Sequence, residues 1–406
     1  MELHRKARGK IKIYPTISIH NEEDLALAYI PGSVPPALEI QQDEGMSYEY
    51  TGRGNRIAVI TDGSAVLGLG NVGPHAALPV MEGKCLLFKL FGDVNAIPVC
   101  LDTQDTEDII HFCTLMAPTL GGINIEDVAS PKTFSIVREL RSKINIPVLC
   151  DDQHGTAVII LAGIWNAMEV QGRKLEDVKI VVNGSGAAGI ATAELLLRAG
   201  AKNIVVLNSS GILNADNQKM NHIQQELSEK TNPENIKGGL EEAIAGAKVF
   251  IGLSKGGIFP AEYIKKMEHD PVIMAMALPE PEILPEEAWA AGAGIVATGL
   301  ANCPNAMPNT LSSPGIMRGL LDVRATLLNH NMLLAAARAL ADVVDRRRLG
   351  PGKIMPDVFC DESAPRVAEA VGQAAIKEGF AAIEVPAGEI YNNLWHTLYG
   401  NQMIRI

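Results

Sequence analysis

The sequence predicts an α/β protein in which a doubly wound nucleotide-binding domain follows an N-terminal α/β domain. From residue 178 onward, short runs of β-branched residues alternate with helical segments, a pattern typical of a parallel sheet with helices on both faces. The first of these runs leads directly into a glycine-rich turn. Further apolar runs lie before residue 156, and the glycines in that part of the chain follow a different pattern. These observations together predict two sheets.

The apolar runs give the order of the elements. Eight of them predict strands: residues 57–60, 97–101, 146–150, 179–183, 203–207, 248–253, 272–277 and 294–297. Residues 190–198 predict a helix that ends at Gly200, since glycine is the usual residue after a helix end. Residues 156–168 form a long apolar run, and we expect this run to be a helix that joins the two halves.

The chain has 406 residues, a length typical of two or three domains. We expect an N-terminal domain over residues 1–155, a nucleotide-binding domain over residues 156–345 and a helical C-terminal segment over residues 346–406. The second boundary is predicted from a charged stretch at residues 342–348, which a Gly-Pro-Gly loop follows.

Composition excludes several classes of protein. With 47 acidic against 35 basic residues and a net charge of −12, we expect neither a nucleic-acid partner nor binding to anionic membranes. Residues 288–317 carry no charge, but they contain prolines and asparagines that a membrane-spanning helix rarely tolerates. The N-terminus lacks the apolar core of a secretory signal, and the six cysteines lack metal-binding spacing. We therefore expect a cytoplasmic protein.

The glycine-rich turn matches the fingerprint of a dinucleotide site of the Rossmann type. It lies between a predicted strand and a predicted helix, so the helix N-terminus would offer free N–H groups to a pyrophosphate. The next strand ends in Asn208 rather than in the acid that commonly binds ribose, which leaves NAD and NADP open. The predicted cofactor-binding residues are Gly184, Ser185, Gly186, Ala187, Ala188, Gly189 and Asn208.

Two acidic pairs follow predicted strands or apolar runs. Glu126 and Asp127 come after the sequence Gly-Gly-Ile-Asn-Ile, and Asp151 and Asp152 follow the strand at residues 146–150. Clustered carboxylates at strand ends suit a hard divalent cation, which prefers oxygen ligands. The alternative is that these acids only cap helix starts and complement the helix dipole. The spacing alone leaves both interpretations open.

Several segments together resemble the compact bacterial malic enzymes, over residues 10 to 385. The most specific are Asp-Asp-Gln-His-Gly-Thr at residues 151–156 and the glycine-rich block at residues 61–74. Residues 21–29, which end in Tyr29, residues 81–84, which end in Lys84, and residues 314–319 also match. The resemblance implies an N-terminal malic-enzyme domain joined to a Rossmann-type domain.

The resemblance also implies an activity and a set of roles. The reaction would be the oxidative decarboxylation of (S)-malate to pyruvate and CO₂ with NAD or NADP, in a homodimer. Glu126, Asp127 and Asp152 would bind Mg²⁺ or Mn²⁺. Lys84 would be the general base, oriented by Asp151, and Tyr29 the acid that protonates the product. Asn305 and Asn309 are the candidates for holding the substrate carboxylate.

Some positions depart from the family pattern. Leu278, Leu300 and Pro308 replace polar residues that relatives place near the substrate and the nicotinamide ribose. These replacements favour a second hypothesis: a metal-dependent decarboxylase of oxaloacetate or another β-keto acid, or an oxidoreductase for a less polar 2-hydroxy acid. A third hypothesis is a catalytically silent binding protein. The retained Tyr29 and Lys84 argue against the third.

Overall fold

The computed structural model describes residues 1–7, 9–66, 68–300 and 303–400. Its helices within these ranges are α1 (Glu2–Ala7), α2 (Glu22–Ala28), α3 (Val34–Gln42), α4 (Ser47–Tyr50), α5 (Gly73–Gly92), α6 (Thr106–Met116), α7 (Lys132–Lys143), α8 (Thr156–Val170), α9 (Ala187–Arg198), α10 (His222–Ser228), α11 (Leu240–Ile244), α12 (Pro285–Ala290), α13 (Ser313–Asp322), α14 (His330–Asp342), α15 (Ser363–Lys377) and α16 (Glu389–Trp395). Its strands are β1 (Arg56–Thr61), β2 (Asn95–Cys100), β3 (Gly122–Ile125), β4 (Val148–Cys150), β5 (Lys179–Asn183), β6 (Asn203–Asn208), β7 (Gly211–Ile212), β8 (Val249–Gly252), β9 (Val272–Ala275) and β10 (Ile295–Thr298).

The strands form two sheets, as the sequence predicts. The first sheet has the order β2-β1-β3-β4, and all of its strands are parallel. The second has the order β10-β9-β8-β5-β6-β7, and only β7 runs antiparallel to its neighbour. In each sheet the chain starts near the middle and then adds strands on both sides, and ligands bind beyond the carboxyl ends of the strands at such a switch point.

All eight predicted strands are present, with shifts of one to two residues at their ends. Two further strands lie outside that prediction. β3 has only four residues and includes Asn124, so its apolar pattern is too short to stand out. Asn124 is nevertheless buried, because its side-chain amide donates to the carboxylate of Glu126 at 2.7 Å. β7 has two residues, which is too few for any periodicity.

Helix α8 joins the two halves, as predicted, and is the centre of the molecule. Its residues are buried almost all round, and one continuous core connects them with β1, β5 and α13 to α15. At Asn166 the helix is tied to the C-terminal segment. The Asn166 amide donates to the carbonyls of Ala341 (3.0 Å) and Ile354 (2.9 Å) and accepts from Arg346 (2.8 Å). Because the core is continuous, the boundaries at residues 155 and 345 stay a prediction.

Residues 12–45 form an N-terminal arm in which no residue is buried. The arm includes α2 and α3, and it exposes ten large apolar side chains, each at least 44% accessible: Ile13, Tyr14, Ile17, Ile19, Leu25, Leu27, Tyr29, Ile30, Val34 and Leu38. Apolar side chains normally leave water when a chain folds. The arm therefore displays a contiguous stretch of sequence that this single chain does not cover.

Within the described ranges, no helix is both long enough and apolar enough to cross a membrane. The uncharged stretch at residues 288–317 instead forms the end of α12, the strand β10, a connecting loop and the start of α13. Residues 301 and 302 of that loop lie outside the described residues.

Replacing Asn166 by alanine should destabilise the fold. The substitution removes three hydrogen bonds at a buried position, which we expect to lower the free energy of unfolding by about 3 kcal/mol. Urea denaturation measures this loss. The matched control is Asn331→Ala, since the exposed Asn331 bonds only Glu378 and should cost less than about 1 kcal/mol. Equal losses in the two variants would contradict the role of Asn166.

Candidate active site

The two acidic pairs lie side by side at the carboxyl ends of β3 and β4. The register places Ile125 opposite Cys150, so the residues that follow them, Glu126 and Asp151, come together. Asp151 and Asp152 begin a single π-helical turn, Asp151–Gly155, which leads into α8. One carboxylate oxygen from each of Glu126, Asp127 and Asp152 lies within 4.8 Å of the other two.

Burial and mutual repulsion disturb the acids of this cluster. Burial, opposed by the charge of Lys84 but assisted by Asp151 and Asp152, raises the pKa of Glu126 to about 8. Burial and the charges of Asp127 and Asp151 raise the pKa of Asp152 to about 7. A divalent cation would relieve this repulsion, and the all-oxygen donor set is the one that Mg²⁺ and Mn²⁺ prefer. The residues present therefore fit such a cation.

Lys84 lies in the middle of α5 and reaches the same cluster. Its Nζ atom is 2.5 Å from Oδ2 of Asp151 and 2.9 Å from Oε1 of Glu126. Burial lowers the pKa of Lys84, but the two carboxylates raise it by more, and the net direction is upward. Lys84 is the cation that balances the buried acids in this arrangement.

Two neutral side chains hold Asp151 in place. Ser313, at the start of α13, donates its hydroxyl to one carboxylate oxygen, and Asn309 donates its amide to the other at 2.9 Å. Burial opposes ionisation of Asp151, but Lys84 and these two donors keep its pKa below the ordinary value. Asn309, predicted to hold substrate, therefore contacts Asp151 directly. Sequence reasoning does not predict this role of Ser313, because a serine before a proline is typical of a helix start.

Asn305, the other predicted substrate residue, is not available for that role. Its side-chain amide donates to the carbonyls of Val296 (2.9 Å) and Pro351 (2.8 Å). Its carbonyl oxygen accepts from the backbone N–H of Ile354 at 2.8 Å. Both amide hydrogens are thus used for fixing the loop after β10, and the side chain is buried. We correct the prediction: Asn305 is a structural residue.

The glycine-rich loop after β1 contacts the cluster from another side. The buried Asp62 pairs with Lys132 of α7 and accepts from the backbone N–H of Ser64 at 2.9 Å. The next residue, Ala65, donates its N–H to the carbonyl of Asp127 at 3.0 Å. Sequence reasoning does not predict the pair of Asp62 and Lys132, because 70 residues separate them in the sequence.

Tyr29 is the one predicted catalytic residue that the structure does not bring to the cluster. It follows α2 in the exposed N-terminal arm, and its side chain is 66% accessible. Within the described residues its hydroxyl forms no hydrogen bond with Lys84 or with any of the four acids.

The fingerprint turn has the geometry of a dinucleotide site. Gly184 adopts φ +130°, a conformation that other residues rarely take. A Cβ atom on Gly189 would lie 1.8 Å from the Gly184 carbonyl oxygen, whereas one on Gly186 would meet nothing within 4 Å. The turn thus packs tightly against α9 on one side and leaves space on the other, with no described side chain capping α9. A pyrophosphate suits that space.

A cavity of about 750 Å³ lies beyond this turn, where the adenosine half of a dinucleotide would extend. Asn208 lines it, but its side-chain oxygen Oδ1 accepts from the backbone N–H of Ser210 at 2.8 Å and so shapes the loop itself. Lys219 and Lys237 also line the cavity, and Lys237 pairs with Asp216 at 2.5 Å. The cavity therefore has cationic groups and no acid at the end of β6.

Comparison with known proteins places the chain in a family. Residues 6–141 match the model of the malic enzyme N-terminal domain, and residues 153–376 match the model of the malic enzyme NAD-binding domain. The chain is 45% identical to the bifunctional malic/malolactic enzyme of Bacillus subtilis, covering 96% of this chain and 95% of that protein. It is 46% identical to the NAD-dependent malic enzyme of Geobacillus stearothermophilus, covering 94% and 80% respectively.

Solved structures agree. The crystal structure of malic enzyme from Pyrococcus horikoshii matches with a TM-score of 0.93 and 42% identity, over 99% of this chain and 98% of that one. The NAD-dependent malic enzyme from Thermotoga maritima matches with a TM-score of 0.89 and 45% identity, over 91% and 98%. The predicted fold class and resemblance are confirmed, and the chain belongs to the malic enzyme family of oxidoreductases, which decarboxylate malate oxidatively with NAD or NADP.

Proposed function

We propose that this chain oxidatively decarboxylates (S)-malate to pyruvate and CO₂ with a nicotinamide dinucleotide and a divalent metal. The observation that carries the proposal is the convergence of Lys84 with four carboxylates, three of them buried and Asp152 half-buried, at the ends of β3 and β4. A lysine in that position can take a proton, and the acids beside it can hold a cation.

Glu126, Asp127 and Asp152 would hold Mg²⁺ or Mn²⁺. When bound, the metal supplies a Lewis acid that polarises the oxygens of the substrate. Glu126 also contacts Lys84 at 2.9 Å, so loading of the cation would compete with Lys84 for this carboxylate.

Lys84 and Tyr29 would move the protons. In its neutral form, which a bound divalent cation beside it would favour, Nζ of Lys84 would accept the proton of the 2-hydroxyl group. The nicotinamide would supply the acceptor for the hydride that leaves C2. The C3–C4 bond of the resulting keto acid then breaks and releases CO₂. The Tyr29 hydroxyl delivers a proton to C3, which gives pyruvate. Asp151 orients Lys84, and Ser313 and Asn309 hold Asp151 through hydrogen bonds.

We further propose that the chain works as a homodimer in which Tyr29 acts in the site of the partner subunit. Two observations support this: the arm at residues 12–45 has no buried residue, and the Tyr29 hydroxyl forms no hydrogen bond with the acids or with Lys84 of its own chain. A symmetric dimer would cover the apolar side chains of both arms at once. Such a dimer would cover the exposed arm, and it would supply Tyr29 as the proton donor to each site.

We propose NADP as the preferred cofactor. The acid that commonly binds the ribose hydroxyls is absent at the end of β6, while Lys219 and Lys237 line the same cavity. Lys237 is offset by Asp216, so Lys219 is the group that would meet a 2′-phosphate.

We place the enzyme in the cytoplasm, because its six cysteines are all free thiols and disulfides are rare there.

The decarboxylase without redox chemistry is not favoured. The fingerprint turn keeps the tight packing and the open space that a dinucleotide needs, and the family is one of NAD- and NADP-dependent enzymes.

The reaction and the cofactor can be tested in one assay. With (S)-malate and Mn²⁺ we expect the enzyme to form NADPH and pyruvate, and to form NADH less efficiently. Asn208→Asp should lower kcat/KM for NADP about tenfold relative to NAD, since the new carboxylate repels the 2′-phosphate and bonds ribose hydroxyls. Consumption of oxaloacetate without any malate oxidation would contradict the reaction. An unchanged NADP-to-NAD ratio in Asn208→Asp would contradict the cofactor assignment.

The metal assignment can be tested without turnover. Asp152→Asn keeps the shape of the side chain but removes its charge, and we expect the Kd for Mn²⁺ to rise by roughly a hundredfold. Electron paramagnetic resonance of free Mn²⁺ measures this change. Asp177→Asn, at an exposed position, is the matched control and should bind Mn²⁺ as the wild type does. Wild-type Mn²⁺ affinity in Asp152→Asn would falsify the ligand assignment.

Mixed dimers test the roles of Lys84 and Tyr29 together. Each of Lys84→Ala and Tyr29→Phe should lower kcat/KM by roughly 10²- to 10⁴-fold. If Tyr29 acts across the dimer, co-expression of the two variants with random pairing should restore about a quarter of wild-type activity, because half of the dimers then hold one intact site.

The control for the mixed dimers is Lys89→Ala in the same helix. Lys89 is half exposed and pairs only with acceptors on the surface, so its variant should keep full activity. Co-expressed variants that show no more activity than the two alone would mean that Tyr29 does not act in the partner subunit.

A further inference from the structure

A second cavity, of about 240 Å³, lies between α7, the turn Asp151–Gly155, α9, α10 and α14. None of the residues that line it lines the nucleotide cavity or belongs to the proposed metal cluster. It adjoins that cluster, because His154, which lines the cavity, is two residues beyond Asp152. No role in the reaction proposed above uses it.

Two hydrogen-bond donors face each other in this cavity. The backbone N–H of Cys150 donates to Nδ1 of His154 at 3.0 Å, so the proton of the neutral ring is on Nε2. Nε2 lies 3.4 Å from Nη2 of Arg141. Because a guanidinium has only donors, this contact joins two N–H groups and satisfies neither. An acceptor placed between them would bond to both.

Arg141 has a second unsatisfied donor. Its Nε atom is buried and has no hydrogen-bond partner among the described residues. Buried polar groups are almost always hydrogen-bonded, and an unpaired one needs an explanation. Burial lowers the pKa of the Arg141 guanidinium, while the charges of Cys150 and Glu194 act in the opposite direction.

Within the described residues, none of the other charged side chains that line the cavity forms an ion pair with Arg141. At the rim, Arg138 and Glu226 approach to 3.9 Å, and both side chains are more than half exposed. His330 lines one wall, and burial together with Arg198 and Arg141 lowers its pKa to about 4, so it is neutral. Glu194 lines another wall. Its carboxylate forms no hydrogen bond with a described residue, and burial raises its pKa.

We propose that this cavity binds a small carboxylate with a short apolar body, whose carboxylate accepts hydrogen bonds from Arg141 and His154. The carboxylate would supply the acceptor and the negative charge that the two donors lack. Carboxylates bind guanidinium groups through paired, charge-assisted hydrogen bonds.

The rest of the cavity fits the body of such a ligand. Its other walls are mostly apolar: Phe134, Val137, Ala157, Leu195, Ile223 and Leu333. Its volume of about 240 Å³ is below the range for drug-sized ligands. A free amino acid and an unsubstituted short-chain acid share this chemistry. Glu194 distinguishes them, since it would attract the ammonium group of an amino acid.

Calorimetric titration of the full-length protein with isovalerate and with L-valine, which has the same carbon skeleton plus an ammonium group, tests the proposal. We expect isovalerate to bind and isobutylamine, which has no carboxylate, not to bind. Arg141→Gln should weaken isovalerate binding about tenfold or more, because it removes a charge-assisted bond. Ala191→Leu narrows the cavity from α9 without touching Arg141, and it should also prevent binding.

The two ligands identify the natural class. If L-valine binds more tightly than isovalerate, and Glu194→Gln removes that advantage, the site takes amino acids. If isovalerate binds more tightly, and Glu194→Gln strengthens its binding, the site takes unsubstituted acids. Both results support a carboxylate site at Arg141.

Lys84→Arg, which changes the proposed active site but keeps its positive charge, serves as the control for binding there, and it should leave the Kd for isovalerate unchanged. Any of three results would overturn the proposal: no binding to the wild type, equal binding to Arg141→Gln and wild type, or loss of binding in Lys84→Arg. The second variant, Ala191→Leu, keeps the test decisive even if Arg141→Gln fails to fold.

Discussion

The structure depends on one electrostatic arrangement, in which Lys84 pairs with two buried carboxylates, Glu126 and Asp151, of a cluster of four. Burial of an ion costs several kcal/mol of hydration free energy, and this cost remains unless a partner compensates for the lost water. The pairing of Ile125 with Cys150 puts two acids next to each other, and their neighbours Asp127 and Asp152 add two more. Lys84 balances part of this charge from α5. The remaining negative charge supports the proposal that the cluster binds a divalent cation.

The fold is organised around holding that cluster still. Three separate parts of the chain bond to it: α5 through Lys84, the start of α13 through Ser313, and the loop after β1 through Ala65. Helix α8 begins where the turn that carries Asp151 and Asp152 ends, and its buried faces connect the first sheet with α9 of the second. Packing of α8 thus fixes the acids relative to the nucleotide turn.

The sequence predicts the parts of this arrangement that depend on local chemistry. Apolar runs marked eight strands, the glycine spacing marked the nucleotide turn, and the acid pairs marked the cluster. It fails where a role depends on partners far away in the chain. Asn305 has the chemistry of a substrate ligand, but its side-chain amide donates to the backbone carbonyls of Val296 and Pro351. Ser313 and Lys132 have no local pattern that links them to Asp151 and Asp62.

The exposed N-terminal arm supports the proposal that two chains together complete the site. Ten large apolar side chains stay exposed there, and covering one such side chain fully is worth about 1.5–3 kcal/mol. Even partial burial of several of them in two arms would exceed the entropy lost on pairing. The side chain that the resemblance names as the acid, Tyr29, lies within this same apolar stretch. Assembly and completion of the active site would then be one event, because the contact that covers the arm also brings the proton donor to its substrate.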